Sequence, residues 1–136
     1  MTDAQKEWAR CRAWIRAAVE PTGLYTIADV EAAIAEGRMQ FWPGKDCAAV
    51  TEFVTYPNCK TLNVFAAGGV AGKALRELTR EIEPALVRWA RASDCKKIIG
   101  FGINPAWRPV CEGMGYAHLW TVMAKDVSEG DEYGRR

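Results

Sequence analysis

Histidine is nearly missing from this chain. Its 136 residues hold one, His118, and its five cysteines (Cys11, Cys47, Cys59, Cys95 and Cys111) include no CxxC pair. The ligand spacing of a structural zinc site is therefore lacking, and no metal is expected. An odd cysteine count argues against a disulfide framework and for reduced thiols packed as small hydrophobes, which places the protein in the cytoplasm. Charge of one sign is lacking too. Eighteen Lys+Arg against 17 Asp+Glu leave a formal +1, with no net field to hold a polyanion, so nucleic acid is not an expected partner. No apolar run reaches the roughly 18 residues of a membrane span. The opening MTDAQKEWARCRAWIRAAVE carries charges where a secretory signal has its apolar stretch. Membrane attachment is not expected either.

The composition that remains, 49% hydrophobic and 26% charged, is globular. A chain of this size removes roughly 68% of its unfolded surface from water, enough for one core without staples. We expect one domain over residues 1–127, with an N-terminal helix inside residues 1–20, and a polar tail over 128–136.

Trp8, Cys11, Ile15 and Val19, widened by Trp14 and Ala18, recur at steps of three and four and predict a helix over residues 4–19, ended by Pro21 and Gly23. Thr26 caps a second helix with Asp29 in its first turn, Val30 and Ile34 on its buried face and Gly37 at its end. The pattern then becomes extended: Gln40-Phe41-Trp42, a Pro43-Gly44 turn, Cys47 to Tyr56, a Pro57-Asn58 turn, and Thr61 to Ala67. This spacing predicts a three-stranded meander. Leu75, Leu78, Ile82, Leu86 and Trp89 predict a helical stretch that Pro84 kinks or divides. Lys97 to Phe101 reads as a strand, Pro105 to Glu112 as a short helix ended by Gly113 or Gly115, and Tyr116 to Ala124 as a last strand. A helix between the third and fourth strands makes them parallel. The expected class is α/β (α+β), a mixed central sheet flanked by helices.

Several residues could carry chemistry. Gly68-Gly69 with Gly72-Lys73, after a strand and before a helix, reads as a strand-to-helix turn or as a loop whose amides cradle phosphate. Glu52, on the central strand, reads as a solvent-facing residue of an exposed sheet face or as a base for an amine. Cys111 reads as a buried thiol or as a proton donor. Asn104 can cap the helix opened by Pro105. Trp107-Arg108 and Trp120 read as buried anchors or as a partner patch.

Asn104, Trp107, Cys111 and Gly115-Tyr116 stand at the spacing at which the GNAT acetyltransferase superfamily has an Asn, a small residue, a Tyr and a Gly-aromatic pair, and the chain closes on Met123-Ala124-Lys125-Asp126-Val127. In this spacing and in element order it resembles that superfamily. The resemblance implies a GNAT-like mixed sheet and acetyl-CoA as cofactor. The pyrophosphate would lie on the loop after the meander, whose nearest match is Ala66-Ala67-Gly68-Gly69-Val70-Ala71 followed by Gly72-Lys73. The exposed edge around Asn63, Phe65 and Ala67 would pair with pantetheine, with Asn104 nearby. Cys111 holds the place of the Tyr that protonates the departing thiolate, and Glu52 would be the base. The chain departs from the pattern at Ala66, where the family has Arg or Gln, and at Trp89-Ala90-Arg91, twenty residues beyond Gly69, a surplus of about two helical turns.

The run of Gly-Gly, Trp-Ala-Arg, Lys-Ile-Ile-Gly, Trp-Arg, Gly-Tyr and Lys-Asp is similar to small GNAT-like proteins of tailed phages and prophages. Two functions are implied. One is an acetyl-CoA-dependent N-acetyltransferase, or its catalytically decayed descendant, acting on an amine acceptor in the host cytoplasm. The other is a non-enzymatic phage virion, ejection or interaction protein that keeps the fold and binds a phage protein partner.

Overall fold

The computed structural model describes residues 1–101 and 104–128. Two threonines start its first helices. Thr2 accepts the Gln5 amide at 3.1 Å while the Gln5 side chain accepts the Thr2 amide at 2.8 Å, opening α1 (Asp3–Val19). Thr26 and Asp29 form the same reciprocal pair at the start of α2 (Ile27–Ala35). Each box satisfies two of the donors that a helix start leaves unpaired. Glu31 ties the two helices, accepting from Trp8 Nε1 at 2.7 Å and Arg12 Nε at 3.0 Å.

The strands are β1 (Gln40–Pro43), β2 (Cys47–Thr55), β3 (Lys60–Gly69) and β4 (Lys97–Gly100), in the order β1-β2-β3-β4. The first two pairings are antiparallel and β3 with β4 is parallel, as a helical crossover requires. Period-two alternation divides the sheet into two faces. Ala48, Val50 and Ala66 pack under Cys11, Ile15, Val30 and Ala33 of α1 and α2; Cys47, Ala49, Leu62, Val64 and Ala67 pack under Ile82, Leu86 and Ala90. Ile15 and Leu62 are fully buried, each worth about 2–3 kcal/mol of transfer free energy.

The expected break at Pro84 takes a particular form. Between α3 (Ala74–Glu77) and α4 (Glu83–Ala92) the chain makes a π turn, Leu78–Ile82, in which the Glu83 amide reaches back five residues to Leu78 O. Pro84 has no amide to donate, and its ring would strike the carbonyl four residues earlier in a regular helix. The wider turn accommodates both.

β3 carries a bulge. Val50 faces Ala66 and Thr51 faces Val64, which leaves Phe65 without a partner on β2. Phe65 and Ala66 both lie against the α1/α2 core, an arrangement only an inserted residue permits.

The last strand is a correction. Residues 116–127 form no strand among the described residues. Apolar residues stand on both parities of this segment, Trp120 and Val122 against Leu119 and Met123, so no single face points to a core. β4 offers only four residues of edge. The expected tail lies outside the described residues apart from Ser128.

The unit before that segment keeps the expected geometry. Asn104 Oδ1 accepts the Ala106 amide at 3.0 Å, a 3-10 turn Pro105–Trp107 leads into α5 (Arg108–Gly113), and Gly115 has φ +98°. Open space surrounds Gly115, so a side chain there meets only backbone strain. Gly115→Val is expected to lower stability by about 1–2 kcal/mol, read by thermal melting; an unchanged melting temperature would contradict a left-handed residue at this position.

Candidate functional site

The end of β3 is where the sequence placed a phosphate loop, and its glycines meet protein on both sides. A Cβ on Gly68 would stand 3.1 Å from the Trp14 carbonyl of α1. One on Gly69 would collide with the Asp46 carbonyl and lie 2.7 Å from Cys47 Cα. Gly68 and Gly69 are thus fixed by the close approach of α1 and of the turn between β1 and β2. Gly72 serves a different need: φ is +81° and nothing lies within 4 Å of a Cβ there.

The amides around these glycines are largely committed. Val70 N–H donates to Asp46 O at 2.8 Å, and the amides of Lys73 and Ala74 both donate to Val70 O, at 3.0 and 2.9 Å. Across the junction, Glu77 of α3 accepts the Lys45 amide at 2.6 Å and the Asp46 amide at 2.7 Å. Arg10 of α1 donates to the carbonyls of Gly44 at 2.7 Å and Lys45 at 2.8 Å. The β1–β2 turn is therefore clamped by a cation from one helix and an anion from another. Burial raises the Glu77 carboxyl, but bonds from the Cys47 thiol and the two amides, with Arg10 nearby, hold it below the usual carboxylate range. Burial, followed by the Glu77 carboxylate, drives the Cys47 thiol far above the usual range.

The edge expected to receive pantetheine is only partly open. Asn63 and Val64 pair with Ile99 and Gly100 of β4, and the Phe101 amide donates to Val64 O at 3.1 Å. Asn63 is a buried interior residue whose Oδ1 accepts from Thr61 Oγ1 at 2.7 Å, not part of an exposed edge. Beyond Val64 the two strands part, and β3 from Phe65 through Ala67 to Gly69 has no β4 partner among the described residues. The opening begins at the bulge. Phe65 meets Tyr25 edge to face with centroids 4.7 Å apart.

Glu52 faces Asn63 across β2 and β3 and is half-buried, where a solvent-exposed position was expected. Burial raises its carboxyl, with Arg38 opposing. Cys111, on α5, is half-buried as well. Burial and then Glu83 raise its thiol, so it is not the readily ionised thiol of a reactive cysteine. The nearby Tyr116 phenol donates to Glu83 Oε2 at 3.1 Å. Burial first, then the Glu83 charge, pushes that phenol far up.

Sequence reasoning treated Tyr116 as the start of a strand and overlooked Glu83. The available signal was Pro84, which marks a helix start and so puts Glu83 in a first turn. Among the described residues no hydrogen bond or ion pair joins Glu52 to Cys111, or either of them to residues 68–73. Trp107 packs against the α4 side of the core, whereas Trp120 is exposed. Lys73 is exposed at the turn before α3, and no group of three or more His, Cys, Asp or Glu among the described residues could hold a metal ion. Among those residues no helix is long and apolar enough to cross a membrane.

A meander continued by a parallel strand across a helical crossover, with the last two strands parting beyond a bulge, is a GNAT-like fold. Solved structures share it. The tetramutant of BH1408 from Bacillus halodurans superposes with a TM-score of 0.62 at 14% identity, over 88% of this chain and 92% of that one. An acetyltransferase from Trypanosoma brucei gives 0.57 at 12% identity, over 74% and 77%. Wild-type TTHA1254 from Thermus thermophilus gives 0.54 at 17%, over 90% and 92%. At these identities the likeness is one of fold. No family model matches the chain, and no curated protein does.

Proposed function

We propose that the chain is a catalytically decayed descendant of an acetyl-CoA-dependent N-acetyltransferase. The observation that carries this reading is the commitment of the loop amides: Val70 N–H is bonded to Asp46 O and those of Lys73 and Ala74 to Val70 O. A pyrophosphate is held by several convergent, unspent amides. That leaves Ala71 and Gly72, with the Gly69 amide on the open side of β3, to supply them, alongside Lys73 and without the family's leading Arg or Gln. The raised thiol of Cys111 and its lack of any bond to Glu52 are in keeping with lost chemistry.

Calorimetric titration with acetyl-CoA tests the proposal. We expect a dissociation constant above about 100 μM, a binding free energy weaker than about −5.5 kcal/mol. Micromolar binding that Lys73→Ala weakens would overturn it and restore the enzyme. A second reading, a non-enzymatic interaction protein, is supported by the apolar segment after α5, where Leu119, Trp120, Val122 and Met123 stand exposed.

A further inference from the structure

β4 closes the sheet order on one side, so the backbone donors and acceptors on its outer side have no strand partner among the described residues. An open edge of this kind is a template for another strand. Its flank is apolar: Ile98 and Ile99 are half-buried and Phe101 is 47% exposed. The same chain carries an extended apolar segment with no strand to pair with among those residues. Leu119 is 55% exposed, Trp120 57%, Val122 72%, Met123 90% and Val127 71%. Apolar residues on both parities suit a strand covered on both faces, and this segment is covered on neither.

Charge sets the direction in which the two would meet. The exposed Lys96 precedes β4, which opens with the exposed Lys97 and is followed by Phe101, whereas the segment opens with Leu119-Trp120 and closes on Asp126. Run antiparallel, Lys97 falls opposite Asp126, Ile99 opposite Ala124 and Phe101 opposite Val122. Run parallel, the register that sets Asp126 against Phe101 sets Lys97 against Val122, and the one that sets Lys97 against Leu119 leaves Asp126 beyond Phe101, so neither forms the ion pair. Opposite charges and apolar pairs directly across a ladder stabilise it, and mismatches do the reverse.

From this complementarity we infer that residues 122–126 of one copy add as an antiparallel strand to the β4 edge of a second copy, and reciprocally. The exchange is self-complementary: each copy offers one edge and one strand, and a twofold axis satisfies both at once. A formal charge of +1 puts little repulsion between copies. Within one chain the segment leaves from a fixed point on the α4 side, where the Tyr116 amide holds Cys111 O and its phenol holds Glu83, and it stands unpaired with its own β4. The inference is independent of acetyl-CoA binding.

Sedimentation velocity on the full chain and two charge reversals test it. The wild type is expected to dimerise in the micromolar range. Lys97→Glu sets two carboxylates against each other at both contacts of the dimer, and Asp126→Lys sets two ammonium groups against each other at both. Each variant alone is expected to weaken dimerisation about tenfold or more. An equimolar mixture of the two restores it, because in the mixed dimer one contact joins the introduced glutamate to the introduced lysine and the other is the native Lys97–Asp126 pair. Pairing within a single chain gains nothing from mixing. Val122→Asp, at an exposed position facing Phe101 only in the dimer, is expected to yield monomers with unchanged helical circular dichroism. A monomeric wild type, single variants that dimerise as the wild type does, or a mixture that stays monomeric would each overturn the inference.

Discussion

Gly69→Ala is expected to destabilise the protein by about 3 kcal/mol, near the upper end for overpacking a core. The added methyl would collide with the Asp46 carbonyl and approach Cys47 Cα and the Ala74 side chain, and two of these three obstacles are backbone. Relief would require moving the β1–β2 turn off β3, against the Val70 bond to Asp46 and the clamp made by Arg10 and Glu77. Gly68→Ala, with 3.1 Å to the Trp14 carbonyl, is expected to cost less. Gly72→Ala meets open space and bears only the strain of its left-handed backbone, about 1 kcal/mol. Urea unfolding of the three variants gives the order directly. A tolerated Gly69→Ala beside a costly Gly72→Ala would mean that these glycines serve a backbone conformation and not a close approach. In the expected order, any bulky or charged residue at position 69 reports on folding and cannot serve as a probe of phosphate binding.

Glu77→Ala is expected to cost about 2–3 kcal/mol, because it removes charge-assisted bonds to two amides and leaves the half-buried Asp46 amide without an acceptor. Glu77→Gln, with one neutral oxygen to offer, is expected to recover roughly half of this. The pH dependence has a definite sign. The folded carboxyl lies below its ordinary value of 4.5, so its contribution is present above that value and is lost as pH falls through the folded one. The gap in stability between wild type and Glu77→Ala should therefore hold at neutral pH and narrow as pH falls below the ordinary value of 4.5. Glu7, Glu20 and Glu31 are also held low by arginine partners, so the wild type alone reports a sum and the difference between the two proteins isolates Glu77. A gap that widens on acidification would contradict the assigned bonds.

The helices and the meander were legible in the sequence because their signals are local. Trp8, Cys11, Ile15 and Val19 keep a helical period, Thr26 lies three residues before its reciprocal partner, Pro43-Gly44 and Pro57-Asn58 mark the turns, and Ala48, Ala49 and Val50 alternate between two cores. The parallel β4 followed from chain order and the handedness of crossovers. The bulge at Phe65 was not legible, since nothing in Asn63-Val64-Phe65-Ala66 marks an inserted residue; it emerges only when β2 is laid alongside. The close contacts at the junction were not legible for a related reason. Gly68-Gly69 looks the same whether a ligand or another stretch of chain comes close, and the occupants, Asp46 and Trp14, lie 23 and 54 positions away in sequence. The last strand failed because a strand needs a neighbour, and no described part of the same sheet supplies one.

The π turn before Pro84 has a consequence for the way the apolar residues of this helix are spaced. Ala74, Leu78, Ile82, Leu86 and Ala90 all face the same core, and each follows the last by four residues. On a regular α-helix a step of four overshoots a full circle by about 40°, so four such steps would carry Ala90 about 160° around the axis from Ala74, nearly to the opposite side. One extra residue in the turn takes back about 100° of that rotation. The unbroken step of four is thus the imprint of an inserted residue, and deleting one position between Leu78 and Ile82 would keep Ala74 and Leu86 within about 20° of each other on a regular helix while returning the Pro84 ring to the carbonyl four residues before it.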